Sequence, residues 1–316
     1  MLLCILTGGN IDLSVGSVVC FVGAVGGVFM EKMGMPMPIA VILMLLLGAV
    51  IGAWQAVWIA YVHVPPFITT LSGMFVFRGL SNVVLGGQTL PIKNQAFVVL
   101  FGGGANCYVP DILGGGEGMN RLAMVVGIVA CVIFVVVTMK SYLNRKKKGY
   151  ETGNVAAMYI KMILICAVIL FVTYKLAKYK GIPTSLVWVL IVVLIYGYIT
   201  SKTTVGRYFY AVGGNEKATK LSGINTERVY FLAYTNMGLL SALAGMLTIA
   251  RLTSAQPTYG QNYEMDAIGS CFIGGASAYG GSGTVGGVVI GALLLGVINM
   301  GMSIMGIGDS WQYVVK

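Results

Sequence analysis

The chain has 316 residues, of which 57% are hydrophobic and only 9% charged, with a formal net charge of +10 and a mean hydropathy of +0.87. That composition excludes a soluble enzyme and leaves room for roughly seven to nine membrane spans and no separate catalytic domain. The basic excess sits in short loops, which speaks for topology and lipid contact and against nucleic acid; a single histidine, His63, and six cysteines without paired spacing exclude a metal cluster or a disulfide framework.

The opening MLLCILTGG reads as part of a helix, and GGNIDLSVGS then breaks the apolar pattern with Asn10, Asp12, Ser14 and Ser17. An acid beside a span is costly unless paired, solvated or capping. Asp12 or Ser14 caps the next helix, or the break lines a pathway; the two readings are compatible. Leu13 to Met30 is the first complete span, with Gly23 and Gly27 on one face for close packing. Pro38 to Tyr61 is the second, with Gly48 and Gly52 repeating that spacing. It carries Trp54, Gln55 and Trp58, a set that suits sugar recognition but reads more simply as packing and interface residues. Pro65 and Pro66 launch the third, Phe67 to Leu85, because neither fits inside a regular helix. Thr69, Thr70 and Asn82 on that helix could face a pore. Arg78 lies well inside it, where an arginine costs at least ~2.5 kcal/mol. It needs an acceptor such as Asp266, Glu264 or nearby carbonyls, and a structural pair locking two helices is expected.

The glycine-rich region Gly86 to Asn120 holds one possible short helix, Ala96 to Phe101. Leu122 to Met139 is the fourth span, ending at Lys140 and the run Arg145-Lys146-Lys147-Lys148, a cytoplasmic marker. Tyr159 to Tyr174 is a shorter fifth, and Ile182 to Ile199 the sixth. Lys175, Lys178 and Lys180 fall between them on the outer side, against the charge rule, and the larger basic loops outvote them. Thr203 to Asn225 is the longest polar interval between two apolar runs. Lys202, Arg207, Lys217, Lys220 and Arg228 outnumber Glu216 and Glu227 around it, which places it in the cytoplasm.

Its middle predicts one short helix, capped by Asn215, with Glu216 at the positive end of the dipole and Lys220 as its partner four residues on. Gly223 is placed for a left-handed stop. Such a helix is far below the ~12–15 residues that stand alone in water, and Ala218 and Leu221 give it only a narrow apolar stripe. It must dock, on the chain's own helix ends or on another protein. Val229 to Ala250 is the seventh span, with Ser241, Ala242, Ala244 and Gly245 forming a thin, packable surface. Asp266 to Tyr279 is too short and glycine-rich to cross and predicts a half-helix dipping into the membrane, tolerated only where protein or a water-filled cavity surrounds it. Val285 to Ile307 is the last span, with Gly283, Gly287 and Gly291 on its contact face. Both ends, MLLCILTGG and WQYVVK, read as pieces of a longer protein.

GGNIDLSVGS, PPFITTLSGMFVFRGL, VGRYFYAVGGNEKATKLSGIN and LAGMLTIARLTSAQPTYGQNYEMDAIGSCFIGGASAYGGSGTVGG resemble, in order, the signatures of the permease subunits of bacterial ABC importers for monosaccharides, the ribose/xylose/galactose type. The pair of spans between Arg121 and Tyr179 and the end MGIGDSWQYVVK resemble the xylose or multiple-monosaccharide branch. The resemblance implies an all-α polytopic membrane protein of the bacterial cytoplasmic (inner) membrane, a helical bundle of about eight spans plus a re-entrant half-helix, type II ABC importer-like. It implies one transmembrane permease domain over 1–316, with a cytoplasmic coupling loop at 200–228. Its partners would be two cytoplasmic ATP-binding subunits, a periplasmic or extracellular sugar-binding protein, a second permease copy (itself or a close relative) and membrane lipid. Gly213, Gly214, Asn215, Glu216, Lys217, Ala218, Lys220, Leu221 and Gly223 match the family's coupling loop, whose short helix sits in a groove of the ATPase. The translocation pathway is expected at Asp12, Ser14, Thr69, Thr70, Asn82 and Asn299. No cofactor and no metal are expected, and the chain has no G-x-x-x-x-G-K-[ST] to cradle ATP. An ion-gradient-driven secondary transporter of small polar solutes is the alternative, but it needs a buried carboxylate relay, and only Asp12 lies convincingly inside. An intramembrane hydrolase needs a nucleophile with a base or an aspartate pair, and neither is visible.

Overall fold

A computed structural model describes residues 1–104, 107–111, 119–147 and 155–315; the glycine run at 114–116 and Lys148 lie outside the described residues. Helices follow in the order α1 (Leu2–Leu6), α2 (Val15–Gly27, continued by a π turn, Val28–Lys32), α3 (Met37–Ala60), α4 (Pro66–Leu85), α5 (Gln95–Leu100), α6 (Arg121–Lys147) and α7 (Val155–Tyr179). Then come α8 (Thr184–Lys202), α9 (Thr204–Gly214), α10 (Glu216–Leu221), α11 (Thr226–Arg251), α12 (Tyr263–Ile273), α13 (Val285–Ile304) and α14 (Asp309–Val315). Two short strands, β1 (Leu90–Pro91) and β2 (Ser254–Ala255), pair antiparallel with Leu90 opposite Ala255. Among the described residues eight segments are long and apolar enough to cross a membrane, which makes this an all-α polytopic membrane protein.

Two compact units divide the chain, Met1–Ala105 with Trp188–Lys316, and Asn106–Val187. The second unit contains the hairpin of α6 and α7. Gly127 lies against Thr173, Cys131 Sγ faces the Cys166 carbonyl at 3.7 Å, and the Asp111 carboxylate accepts from the first amides of α6 at 2.9 and 3.3 Å. α7 runs longer than the expected Tyr159 to Tyr174, because Ala156 and Met158 at one end and Lys175, Leu176, Ala177 and Lys178 at the other are good helix formers.

In the first unit α3, α4 and α11 pack around α2. In a bilayer, lipid is as apolar as leucine, so helices associate through close contact of small residues. Gly48 and Gly52 of α3 face Gly238 of α11 so closely that a Cβ on Gly238 would collide with the Gly48 carbonyl oxygen. Gly23 of α2 fits beneath Ile249, Gly245 lies under the Val19 carbonyl, and Gly287 and Gly291 of α13 meet Gly274 and the Ser270 carbonyl beside α12. These are the contact faces that the glycine spacings predict. Between the small residues, Met44, Met246, Val22, Phe97 and Phe101 fill one end of the bundle, and Leu3, Ile5, Leu6, Phe209, Val212 and Tyr234 the other.

The half-helix is present but displaced from the expected Asp266 to Tyr279. α12 starts at Tyr263, and residues 256–262 reach it from β2 as non-helical chain. Gly260, at φ +73°, sits directly on Gly16 of α2. Carbonyls on such a leg need donors wherever water is excluded. Arg78 supplies them: Nη1 donates to Tyr259 O at 2.9 Å and to Pro257 O at 3.4 Å, while the Cys20 thiol reaches Pro257 O at 3.3 Å. Of the acceptors expected for Arg78, the carbonyls are the ones in place, because the leg lies across its path. Replacing Arg78 by Met keeps the stem and removes the donors, which should cost about 2 kcal/mol. A thermal unfolding midpoint in detergent equal to that of the wild type would show that these carbonyls do not depend on it.

Candidate functional site

The polar interval folds into two helices rather than one. α9 was hidden in the sequence because its buried positions Gly206, Phe209 and Val212 recur every three residues among exposed Arg207 and Tyr208. Phe209 and Val212 bury against α1 in the apolar cluster at that end of the bundle, while Gly206 lies against Ile199 and Thr200 of α8. Three caps punctuate the interval: Thr203 Oγ1 accepts from Gly206 N at 3.1 Å, Asn215 Oδ1 from Ala218 N at 3.0 Å, and Asn225 Oδ1 from Arg228 N at 2.8 Å. Gly223 adopts φ +82°, the left-handed stop its position predicts. Near its other end α9 is pinned by the Tyr210 hydroxyl, which donates to the Gly283 carbonyl at 2.8 Å; burial raises the pKa of this phenol above its ordinary value.

α10 has six residues and buries one, Thr219, whose hydroxyl returns to Ala211 O at 2.9 Å and Asn215 O at 2.8 Å. Glu216, Lys217, Ala218 and Lys220 are exposed, and Leu221 is 90% exposed. The expected Glu216–Lys220 pair is replaced by two longer-range ones. Tyr230 of α11 donates to Glu216 Oε2 at 3.0 Å, and Lys220 Nζ approaches Glu227 Oε1 at 3.9 Å. The start of α11 passes beside α10, so tertiary partners displace the local one. A cavity of about 210 Å³ lies there, lined among others by Asn10, His63, Glu216, Glu227 and Tyr230.

The junction of α9 and α10 touches the break between α1 and α2. A Cβ on Gly213 would collide with the Leu6 carbonyl oxygen, which also accepts from Gly281 N at 3.1 Å. Gly9 in turn lies on the Ala278 carbonyl, and Gly280 on Gly8. Three stretches of backbone therefore meet without intervening side chains: the α1–α2 break, the α9–α10 junction and the turn after α12.

Past that break the chain enters the bundle. Asp12 and Ser14 are 2% and 1% exposed, and Asp12 Oδ1 accepts from Ser14 N at 2.8 Å and Ser14 Oγ at 2.7 Å. Ser14 stands at the N-cap position of α2 without a side-chain capping bond, so the local turn is closed by Asp12. Ser14 Oγ also lies 3.1 Å from Gln55 Oε1 of α3. A hydroxyl has one proton, and here Asp12 takes it. The consistent arrangement turns the Gln55 amide so that Nε2, otherwise without a partner, donates to Ser14 and its oxygen rests over Gly73 of α4. Amide, hydroxyl and carboxylate then form one chain of donors ending on Asp12, linking α2, α3 and α4.

The other expected pathway residues scatter. Thr69 and Thr70 are buried, their hydroxyls bonded to the Pro65 and Pro66 carbonyls of their own helix at 3.4 and 2.9 Å. Asn82 is exposed on α4, and Asn299 is half-buried on α13 with Oδ1 unpartnered. Asp266 is half-buried in the first turn of α12, beside buried Glu264, whose Oε2 has no partner and faces Gly16. Gln55 and Tyr230 were missed as members of these constellations: each lies on an apolar helix, and only the neighbouring segment reveals its partner. Trp54 and Trp58 are 47% and 42% exposed and pack edge to face at 6.5 Å.

Eight apolar spans, with a polar interval folded into a capped helix pair, define a polytopic membrane protein. The family described as branched-chain amino acid transport system / permease component matches residues 1–316, and the chain belongs to it. A xylose transport system permease protein of Haemophilus influenzae is 36% identical over 313 residues, covering 99% of this chain and 80% of that protein. The xylose transport system permease protein of Escherichia coli K12 is 33% identical over 312 residues, covering 99% and 76%. The ribose import permease protein of the same strain is 34% identical over 319 residues, covering 100% and 76%. No solved structure is significantly similar to the chain. The protein is a transport permease, like these relatives, and not an enzyme.

Proposed function

We propose that this permease carries monosaccharides of the xylose type into the cytoplasm, driven by ATP hydrolysed on separate subunits. Two such subunits would dock below, a sugar-binding protein above, and a second permease copy would complete the passage. The observation that carries the coupling is α10: six residues of which only Ala218 and Leu221 are apolar, capped surroundings, and Leu221 90% exposed on a helix with no apolar neighbour to cover it. For the cargo, the support is the similarity to two xylose permeases and a ribose permease along nearly the whole chain, although the family's description speaks of amino acids.

A sugar sheds water from many hydroxyls on entering the membrane, and each lost bond must be replaced. Asp12, Ser14, Thr69, Thr70, Asn82 and Asn299 are the groups we assign to that task, with Gln55 added through its contact with Ser14. Those now buried would meet the sugar only when the bundle opens, which suits weak, transient binding. The docked α10 would pass the closing motion of the ATPases to the bundle, and the sugar-binding protein would select the cargo. Proteoliposomes holding the permease, its ATPase and its binding protein should accumulate labelled xylose only with ATP. Uptake driven equally by an ion gradient without ATP would establish the secondary-transporter alternative instead.

A further inference from the structure

If α10 receives the movement of an ATPase, something must deliver it to the polar relay inside the bundle. The Glu216–Tyr230 bond lies where this can happen. Tyr230 sits on α11, the helix that packs against both α2 and α3, one turn from the start of that helix. Its hydroxyl donates to Glu216 Oε2 at 3.0 Å and lies over Gly8, where a Cβ would stand 3.8 Å away, and Asn10 lines the same cavity. Asn10 Nδ2 donates to Thr7 O at 3.2 Å, closing the turn that leads to Asp12. A second contact runs parallel to the first, where Gly213 abuts the Leu6 carbonyl. One contact is a directional side-chain bond and the other is backbone against backbone. The first ties α10 to α11 beside the α1–α2 break, and the second sets the end of α9, next to the cap of α10, against the last residue of α1.

We infer that Tyr230 is a positioning residue for transport: its hydroxyl ties α10 to α11 beside the Gly8–Asn10 turn, so that displacement of the short helix is handed to Asp12 and Ser14. This rests on the proposed importer function. The division of labour follows from chemistry. Gly213 resists compression because no side chain cushions it, but it cannot pull. The hydrogen bond resists separation. Together they make the joint act in both directions of the cycle.

The test uses the assembled transporter in proteoliposomes, with xylose as cargo, and reads sugar moved per ATP hydrolysed. Tyr230→Phe keeps the ring and removes only the hydroxyl. The ratio should fall about fivefold, the factor expected for one hydrogen bond, with assembly and unfolding midpoint unchanged. In a double-variant cycle Glu216→Ala should add nothing to the loss of coupling already caused by Tyr230→Phe. An unchanged ratio overturns the inference, as does a loss that tracks failed assembly or a lowered midpoint, or full additivity of the two substitutions. Wild-type complexes that move no xylose would instead overturn the importer reading itself.

Discussion

A Leu221→Asp permease is expected to insert and fold as the wild type does and to lose ATP-driven uptake. The side chain is 90% exposed, so the folded chain has no contact there to lose. An exposed leucine on a six-residue helix does little for that helix, whose caps and Thr219 hold it in place. If an ATPase covers it, burial of the leucine contributes about 1.5–3 kcal/mol to docking. An aspartate would forfeit that and place an unpaired charge in the interface, for a combined loss above about 3 kcal/mol, or a hundredfold and more in affinity. Co-purification with the ATPase and uptake in the same preparation check it together. A variant that pulls down its ATPase and transports normally would place the docking face elsewhere.

The second large effect is expected at Gly238. The α3–α11 contact has nothing larger than the Ala242 methyl at its centre: the Gly238 carbonyl faces Gly48, and the Gly48 carbonyl faces Gly238. Val at 238 must push the helices apart, because its Cβ would overlap backbone and backbone does not rotate away. The loss includes the close Cα–H···O contacts and the packing of Met44 and Met246 on either side. Overpacking of this kind typically costs about 1–3 kcal/mol where side chains can adjust, and more where backbone blocks them. Gly238→Val should therefore give aggregated protein in size-exclusion chromatography, whereas Gly214→Val, at an exposed glycine with open space around it, should remain monodisperse. Equal elution of both would mean that α3 and α11 are not held by this contact.

The two substitutions probe different kinds of legibility. Gly48 and Gly52 announce a contact face by their spacing alone, since small residues four apart on an apolar helix have no other common use. Leu221 announces exposure only by contrast: it sits on a helix too short to stand, in the basic interval between two spans. Asn215 and Gly223 declared the ends of that helix, because capping and left-handed stops are local chemistry. The pairing of Glu216 was misread for the complementary reason. Lys220 is its neighbour along the helix, but Tyr230, fourteen residues away, reaches it across space at 3.0 Å.

The same boundary runs through the whole protein. Hydropathy and the glycine and proline positions determined the spans, their contact faces and the existence of a half-helix before the last span. Those properties follow from transfer of side chains between water and lipid and from backbone sterics, which act residue by residue. Only the tertiary structure decided that Arg78 braces carbonyls of the descending leg, that Gln55 completes the Asp12–Ser14 relay, and that Gly213, Leu6 and Gly281 share one joint. Hydrogen-bond partners and close backbone approaches depend on where distant segments converge, and a one-dimensional pattern holds no record of that convergence.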